Sequence, residues 1–225
     1  MHLEQNIKGL CSKFGLDFQD FLSDLDVEDV HELTIFDIEA ICEEYEIDML
    51  ALLFKPIFRT NQWITKAKNI KLVVIDIDGV LTDGGMYFTE LGDQIKKYNT
   101  KDGMGILKLQ ENGIQVAFLS SGFSNKMIAD RAQMLGVKLF YVGREKKIDI
   151  LNKWRLELNL DFKEIAYLGD DVNDLECIRE VGFSGCPINA LDNVKTEVDV
   201  ILSKKGGDGC VREFIDNYLL ETPIS

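Results

Sequence analysis

The 225-residue sequence lacks any apolar run long enough to cross a bilayer. The purest one, Met49 to Phe54, falls far short of the roughly 20 residues a helical span needs. The opening stretch, MHLEQNIKGLCSKFG, lacks the apolar core of a secretory leader, so no export is expected. Cysteine is sparse: Cys11, Cys42, Cys177, Cys186 and Cys210 are odd in number, scattered and without a CxxC pair. They are expected to be reduced packing thiols in a cytosolic protein. Histidine is almost missing, and His2 and His31 stand isolated, so neither is assigned a metal. Bases are nearly absent from the first quarter. Up to Phe54, Lys8 and Lys13 face fourteen acids, so this segment carries −12 of the chain's formal −14. Nucleic-acid binding needs cations to neutralise phosphates, so this composition excludes it for the segment. The shift from a strongly acidic segment to a nearly balanced remainder divides the chain into two domains. Apolar content of 46% and charged content of 28% are those of an ordinary globular protein.

Residues 1–60 are expected to form a small all-α domain. Ile7, Leu10, Cys11 and Phe14 share a helix face that ends at Gly15, and Phe18, Phe21, Leu22 and Leu25 make a second. A short third helix falls within 27–33. Thr34 caps a fourth, and Asp48 caps a last turn through Leu53. The stretch LTIFDIEAICEEYEIDMLALLF resembles the last two helices of the helix-turn-helix domains of phage-type repressors. Its acidity favours docking to a protein partner, or self-association, over DNA. Residues 61–70, within the basic stretch KPIFRTNQWITKAKN, are expected to be a linker to a second domain over 71–225.

The second domain opens on KLVVIDIDGVLTDG. Leu72 to Ile75 predict a buried strand that runs into Asp76-Ile77-Asp78-Gly79. Side chains alternate along a strand, so the two aspartates lean the same way. Two such carboxylates require a proton or a cation between them. Gly79 permits a tight turn past the pair. Two short strands around a glycine turn then predict a hairpin, placed to act as a flap over the aspartates. A helix follows NTKDGMG, with Lys101 and Asp102 at its entry. Further apolar strands end at Ser120-Ser121-Gly122, before Gly143-Arg144-Glu145-Lys146-Lys147, and at Gly169-Asp170-Asp171-Val172-Asn173-Asp174. A hydroxyl at a strand end suits a phosphate oxygen. Three acids in five positions opposite Asp76 and Asp78 suit a hard cation. Strand and helix alternate to residue 220, which predicts an α/β fold with a doubly wound parallel sheet.

Four of these segments, in this order, resemble the motifs of the haloacid dehalogenase superfamily: DIDGVLTD with Thr82 and Asp83, Ser120, a lysine at 147 or 146, and GDDVND. The resemblance covers about residues 70–220. It implies an aspartyl-phosphate mechanism in a Rossmann-like core. Asp76 is then the nucleophile and Asp78 the acid and base. Ser120 and Lys147 hold the phosphate. Mg²⁺ sits on Asp76, the Asp78 backbone carbonyl and Asp170. Asp171 and Asp174 serve through water or by orienting the lysine. The motif gaps leave room for no cap domain. The chain therefore resembles the capless branch that hydrolyses 3-deoxy-D-manno-octulosonate 8-phosphate and the related nine-carbon sugar-acid phosphatases. It is also similar to the phosphatase-like tail domain of acylneuraminate cytidylyltransferases. The branch implies a homotetramer whose neighbours complete each site. Lys101 and Asp102 would line the substrate side, and Gly206, Gly207 and Arg212 would reach an adjoining site. Where that branch carries Thr-Gly-Arg or Thr-Gly-Glu, this chain has Ser120-Ser121-Gly122. The side chain that would sort sugars is missing, so eight- and nine-carbon substrates both remain open. The remaining reading is a regulatory binding protein whose output is the N-terminal module.

Overall fold

The computed structural model describes residues 2–55, 57, 61–90, 94–122 and 125–220. The chain divides into two compact units, Met1–Thr60 and Asn61–Ser225. The first contains α1 (His2–Phe14), α2 (Phe18–Asp24), a 3-10 turn (Val30–Glu32), α3 (Ile35–Glu44) and α4 (Met49–Phe54). Local chemistry sets these ends. Gly15, at φ +69°, takes the left-handed conformation that stops α1. Asp17 caps α2, Thr34 and Asp37 form a capping box on α3, and Asp48 accepts from the Ala51 amide of α4. Ile7, Leu10, Leu22, Ile41 and Leu52 fill the core. Within it Asn6 is buried, and its amide donates to Leu52 O at 2.8 Å while its Oδ1 accepts from the Ile57 amide at 3.0 Å. That pins the end of the unit to its first helix.

The second unit begins earlier than the sequence implies. Residues 61–70, expected as a linker, include α5 (Asn61–Lys68). Ala67 and Ile70 are buried in the core of this unit, and Lys66 Nζ pairs with Asp199 at 2.5 Å. Two of the bases that suggested a linker, Lys66 and Lys68, lie in the last turn of this helix. The order then runs β1 (Leu72–Asp76), β2 (Tyr87–Phe88), β3 (Gln94–Ile95), α6 (Thr100–Glu111), β4 (Gln115–Ser120), α7 (Asn125–Met134), β5 (Leu139–Val142) and α8 (Lys147–Glu157). It continues with β6 (Ile165–Leu168), α9 (Leu175–Glu180), β7 (Phe183–Cys186), α10 (Asp192–Glu197), β8 (Val200–Ile201) and α11 (Cys210–Phe214), which widens into a last turn through Leu219.

Six strands form one parallel sheet in the order β5-β4-β1-β6-β7-β8. The chain builds outward from β1 to β5, then returns to lay β6 on the other flank of β1. Between β1 and β6 the winding reverses, and a ligand crevice opens at the carboxyl ends of the strands there. β2 and β3 pair antiparallel as a separate hairpin, whose base is tied by a bridge between Thr82 and Tyr98. No described helix is long and apolar enough to cross a membrane.

Candidate active site

β1 is buried along its whole length and pairs on both sides, so its last residue, Asp76, is delivered 4% exposed into the crevice. Residues 77–81 wind into one wide turn, in which Gly79 takes φ +104°. A β-carbon there would collide with the Asp170 carboxylate, so glycine is required for both the backbone conformation and the close approach. Thr82 closes the turn by donating to Ile77 O at 3.0 Å.

From the opposite flank, α8 brings Lys147 in with its side chain 2% exposed. Its Nζ lies 2.6 Å from Asp76 Oδ1 and 2.6 Å from Asp174 Oδ1. Lys146, the other lysine that the spacing left open, lies at the surface and pairs with Glu176 at 3.3 Å. Asp174 is fully buried and accepts four donors: Lys147, the Tyr167 hydroxyl at 2.7 Å, and the backbone amides of Asp170 and Asp171 at 3.0 and 3.1 Å. It orients Lys147 and shapes the turn after β6. Asp171 is exposed and caps that turn through the Val172 amide.

Asp76, Asp170 and Asp174 can each bring a carboxylate oxygen within 4.8 Å of the others'. Were all three ionised, Lys147 would offset one charge and leave two, which a proton or a cation must answer. Burial, with Asp174 and Asp170 nearby, pushes Asp76 above the usual carboxylate range, and Lys147 opposes the rise. Burial and then Asp174 push Asp170 to about 7. Burial depresses the Lys147 ammonium, but the Asp76 and Asp174 carboxylates outweigh it and the group stays charged. Asp170 Oδ1 is buried with no hydrogen-bond partner. An orphaned carboxylate oxygen beside a second carboxylate, in a cluster of three acids around one lysine, fits a divalent cation with oxygen ligands. Both oxygens of Asp174 are already engaged, so Asp76 and Asp170 are the side chains free to hold it.

Asp78 points into the crevice from the turn, its side chain 35% exposed. Its Oδ2 accepts from Ser120 Oγ at 3.3 Å, and its Oδ1 forms an ion pair with Lys96. Gly122 lies beside them: its amide donates to Ser120 Oγ at 3.0 Å, and an added β-carbon would stand 3.5 Å from Asp78 Oδ2. Ser121 Oγ accepts from Asn173 on the rim.

Some predicted residues lie elsewhere. Asp102 is wholly buried and accepts the Arg212 amide at 2.8 Å, capping α11 instead of facing substrate. Lys101 is exposed on the first turn of α6. Arg212 pairs with Asp216 of its own chain. Gly206 and Gly207 pack on the turn after β1 of their own chain, where the Gly207 amide donates to Val80 O at 2.9 Å. Side chains there would strike the backbone of residues 79–83, which explains the paired glycines. Sequence reasoning missed Lys96, because one lysine in a charged hairpin carries no signal of direction. It also missed Tyr167, because a tyrosine in an apolar strand reads as core.

The profile of the haloacid dehalogenase-like hydrolases matches residues 143–214. The 3-deoxy-D-manno-octulosonate 8-phosphate phosphatase KdsC of Haemophilus influenzae is 38% identical over 154 residues, which is 68% of this chain and 85% of that protein. The crystal structure of the corresponding phosphatase of Moraxella catarrhalis, in complex with magnesium, phosphate and KDO, is similar with TM-score 0.67 and 34% identity, covering 70% of this chain and 90% of that one. The cobalt-bound Haemophilus influenzae phosphatase is similar with TM-score 0.65 and 38% identity, over 68% of this chain and 90% of that one. With the same parallel core and an aspartate-lysine cluster at its switch point, this chain belongs to the haloacid dehalogenase-like hydrolases, as a KdsC-like phosphatase.

Proposed function

We propose that the chain hydrolyses 3-deoxy-D-manno-octulosonate 8-phosphate with Mg²⁺ as its cation, held by Asp76, Asp170 and the Asp78 carbonyl. The observation that carries the mechanism is the buried set of Asp76, Lys147 and Asp174 with the orphaned Asp170 oxygen beside it. The relatives' substrate supports the choice of sugar. When bound, Mg²⁺ neutralises charge on the transferring phosphate and aligns it with the nucleophile.

Asp76 attacks phosphorus. The bond from phosphorus to the sugar oxygen breaks as the bond to Asp76 forms, giving an aspartyl phosphate. Asp78 takes a proton from solvent on Oδ2, the oxygen that Lys96 leaves free, and gives it to the departing sugar oxygen. It then recovers one from the water that hydrolyses the intermediate, releasing phosphate and restoring Asp76. Lys147, held in place by Asp174, and Ser120 bind the transferring oxygens. The flap exposes Tyr87, Phe88 and Ile95, which supports a homotetramer in which neighbours cover it. All five cysteines are free, which supports a cytoplasmic location. The acidic N-terminal unit is a module for a protein partner, with no role in nucleic-acid binding.

The test is phosphate release from eight- and nine-carbon keto-deoxy sugar-acid phosphates, with Mg²⁺ and with EDTA. Mg²⁺-dependent turnover of the eight-carbon ester is expected. Turnover of a nine-carbon ester alone would reassign the sugar, with Gly122 as the first place to look. Turnover unaffected by EDTA would refute the metal assignment.

A further inference from the structure

The flap carries a lysine that does not behave as a hairpin lysine should. In a small exposed hairpin a lysine ordinarily keeps its ammonium in water. The neighbours of Lys96 do stay exposed: Tyr87, Phe88 and Ile95 are each more than half accessible, and Lys97 is exposed too. The Lys96 side chain is only 4% exposed. Just past β3 the chain turns the Lys96 side chain inward while Ile95 stays outward, and the inward ammonium ends on Asp78 Oδ1. A buried ammonium is tolerated only when paired, so this direction has a partner that requires it.

The partner is the more loosely held of the two aspartates. The Asp76 side chain is 5% exposed and fixed by Lys147, whereas that of Asp78 is 35% exposed on a turn. Besides Lys96, the described residue that reaches the Asp78 carboxylate is Ser120, at a long 3.3 Å. The charge-assisted bond from Lys96 is the stronger tether. The hairpin base is itself fixed to the turn of the site by the Thr82–Tyr98 bridge. Each aspartate therefore has its own lysine, one from α8 and one from the flap.

We propose that Lys96 is the positioning residue of the leaving-group acid: the seated flap uses it to hold Asp78 where the departing oxygen will be. This rests on the role given to Asp78 above. A residue that acts through leaving-group protonation matters most when the leaving group is basic. An alkoxide from a sugar needs a proton as it departs, and 4-nitrophenolate does not. The value of kcat/KM reports the first half-reaction, in which that oxygen leaves.

The experiment compares wild type with Lys96→Met and Lys96→Gln, in Mg²⁺, on the sugar-acid phosphate and on 4-nitrophenyl phosphate. Loss of positioned acid catalysis is expected to lower kcat/KM on the sugar ester by about 10²-fold or more, and on the nitrophenyl ester by no more than about threefold. Lys97→Met is expected to leave both unchanged. Equal losses on the two esters would overturn the proposal in favour of phosphate binding or folding, and so would no loss on either. If wild type turns over no sugar-acid phosphate, the substrate reading is what fails. Phenyl against 4-nitrophenyl phosphate then tests Lys96 by the same differential.

Discussion

Replacing Asp174 with alanine withdraws the acceptor from four donors at once: Lys147 at 2.6 Å, Tyr167 at 2.7 Å, and the amides of Asp170 and Asp171 at 3.0 and 3.1 Å. The bonds to Lys147 and Tyr167 are buried, so water does not replace those lost oxygens without entering the core. Breaking a buried ion pair by removing one partner costs about 3–5 kcal/mol. Lys147 keeps Asp76, which pulls toward the lower figure. The buried Tyr167 hydroxyl, at about 1–3 kcal/mol if left unsatisfied, pulls the other way. For a unit of this size each kcal/mol is worth about 2–4 °C, so the melting transition of the second unit should fall by about 6–20 °C. The assay is calorimetry of the full chain in EDTA, so that metal release does not contribute. Asp174→Asn retains one acceptor oxygen and should fall between the two. Activity should fall further than stability explains, because Lys147 loses the group that aims it at Asp76. An alanine variant melting within about 2 °C of wild type would refute the claim that this network holds the site together.

Asp76→Asn removes the proposed nucleophile and should cut turnover by at least about 10³-fold with the fold intact, and near-wild-type phosphate release would sink the assignment. Asp102 gives a pH test. Burial raises its carboxyl to about 6, against the helix amides that pull it down, so the folded chain keeps a proton the unfolded chain gives up near 4. Its contribution therefore falls as pH rises from about 4 to about 6, by roughly 3 kcal/mol, a penalty Asp102→Asn escapes. Urea titrations should show the Asn variant gaining on wild type across that window, and a pH-independent difference would refute the argument. Gly79→Ala meets both a φ of +104° and the Asp170 carboxylate, so it should lose activity and weaken Mg²⁺ activation even where the protein folds. A wild-type Mg²⁺ titration curve would contradict it.

Much of this architecture is local and therefore legible in the sequence. The N-terminal helices are bounded by Gly15, Thr34 and Asp48, each acting on backbone within a few residues of itself. An apolar strand running into Asp76-Ile77-Asp78-Gly79 also announces itself, because alternation and repulsion need no tertiary information. What the sequence leaves open is direction over long separations. Lys146 and Lys147 are equivalent as helix-entry residues, and only the packing of α8 against the sheet puts one on Asp76, 71 positions away, and the other in solvent. Asp102 looks like a solvated first-turn acid until α11 arrives from 110 residues downstream and sets its N-terminus on the carboxylate. Gly206 and Gly207, expected to reach an adjoining site, have their backbone against the turn after β1 of their own chain. Lys96 sits beside a strand too short for alternation to show, and only the seating of the hairpin turns it inward to Asp78. The sequence by itself determined which chemistry the chain can carry, since caps and strand-end acids act through near neighbours. The tertiary structure decided which of several identical side chains carries it, since a buried charge goes only where a distant partner meets it.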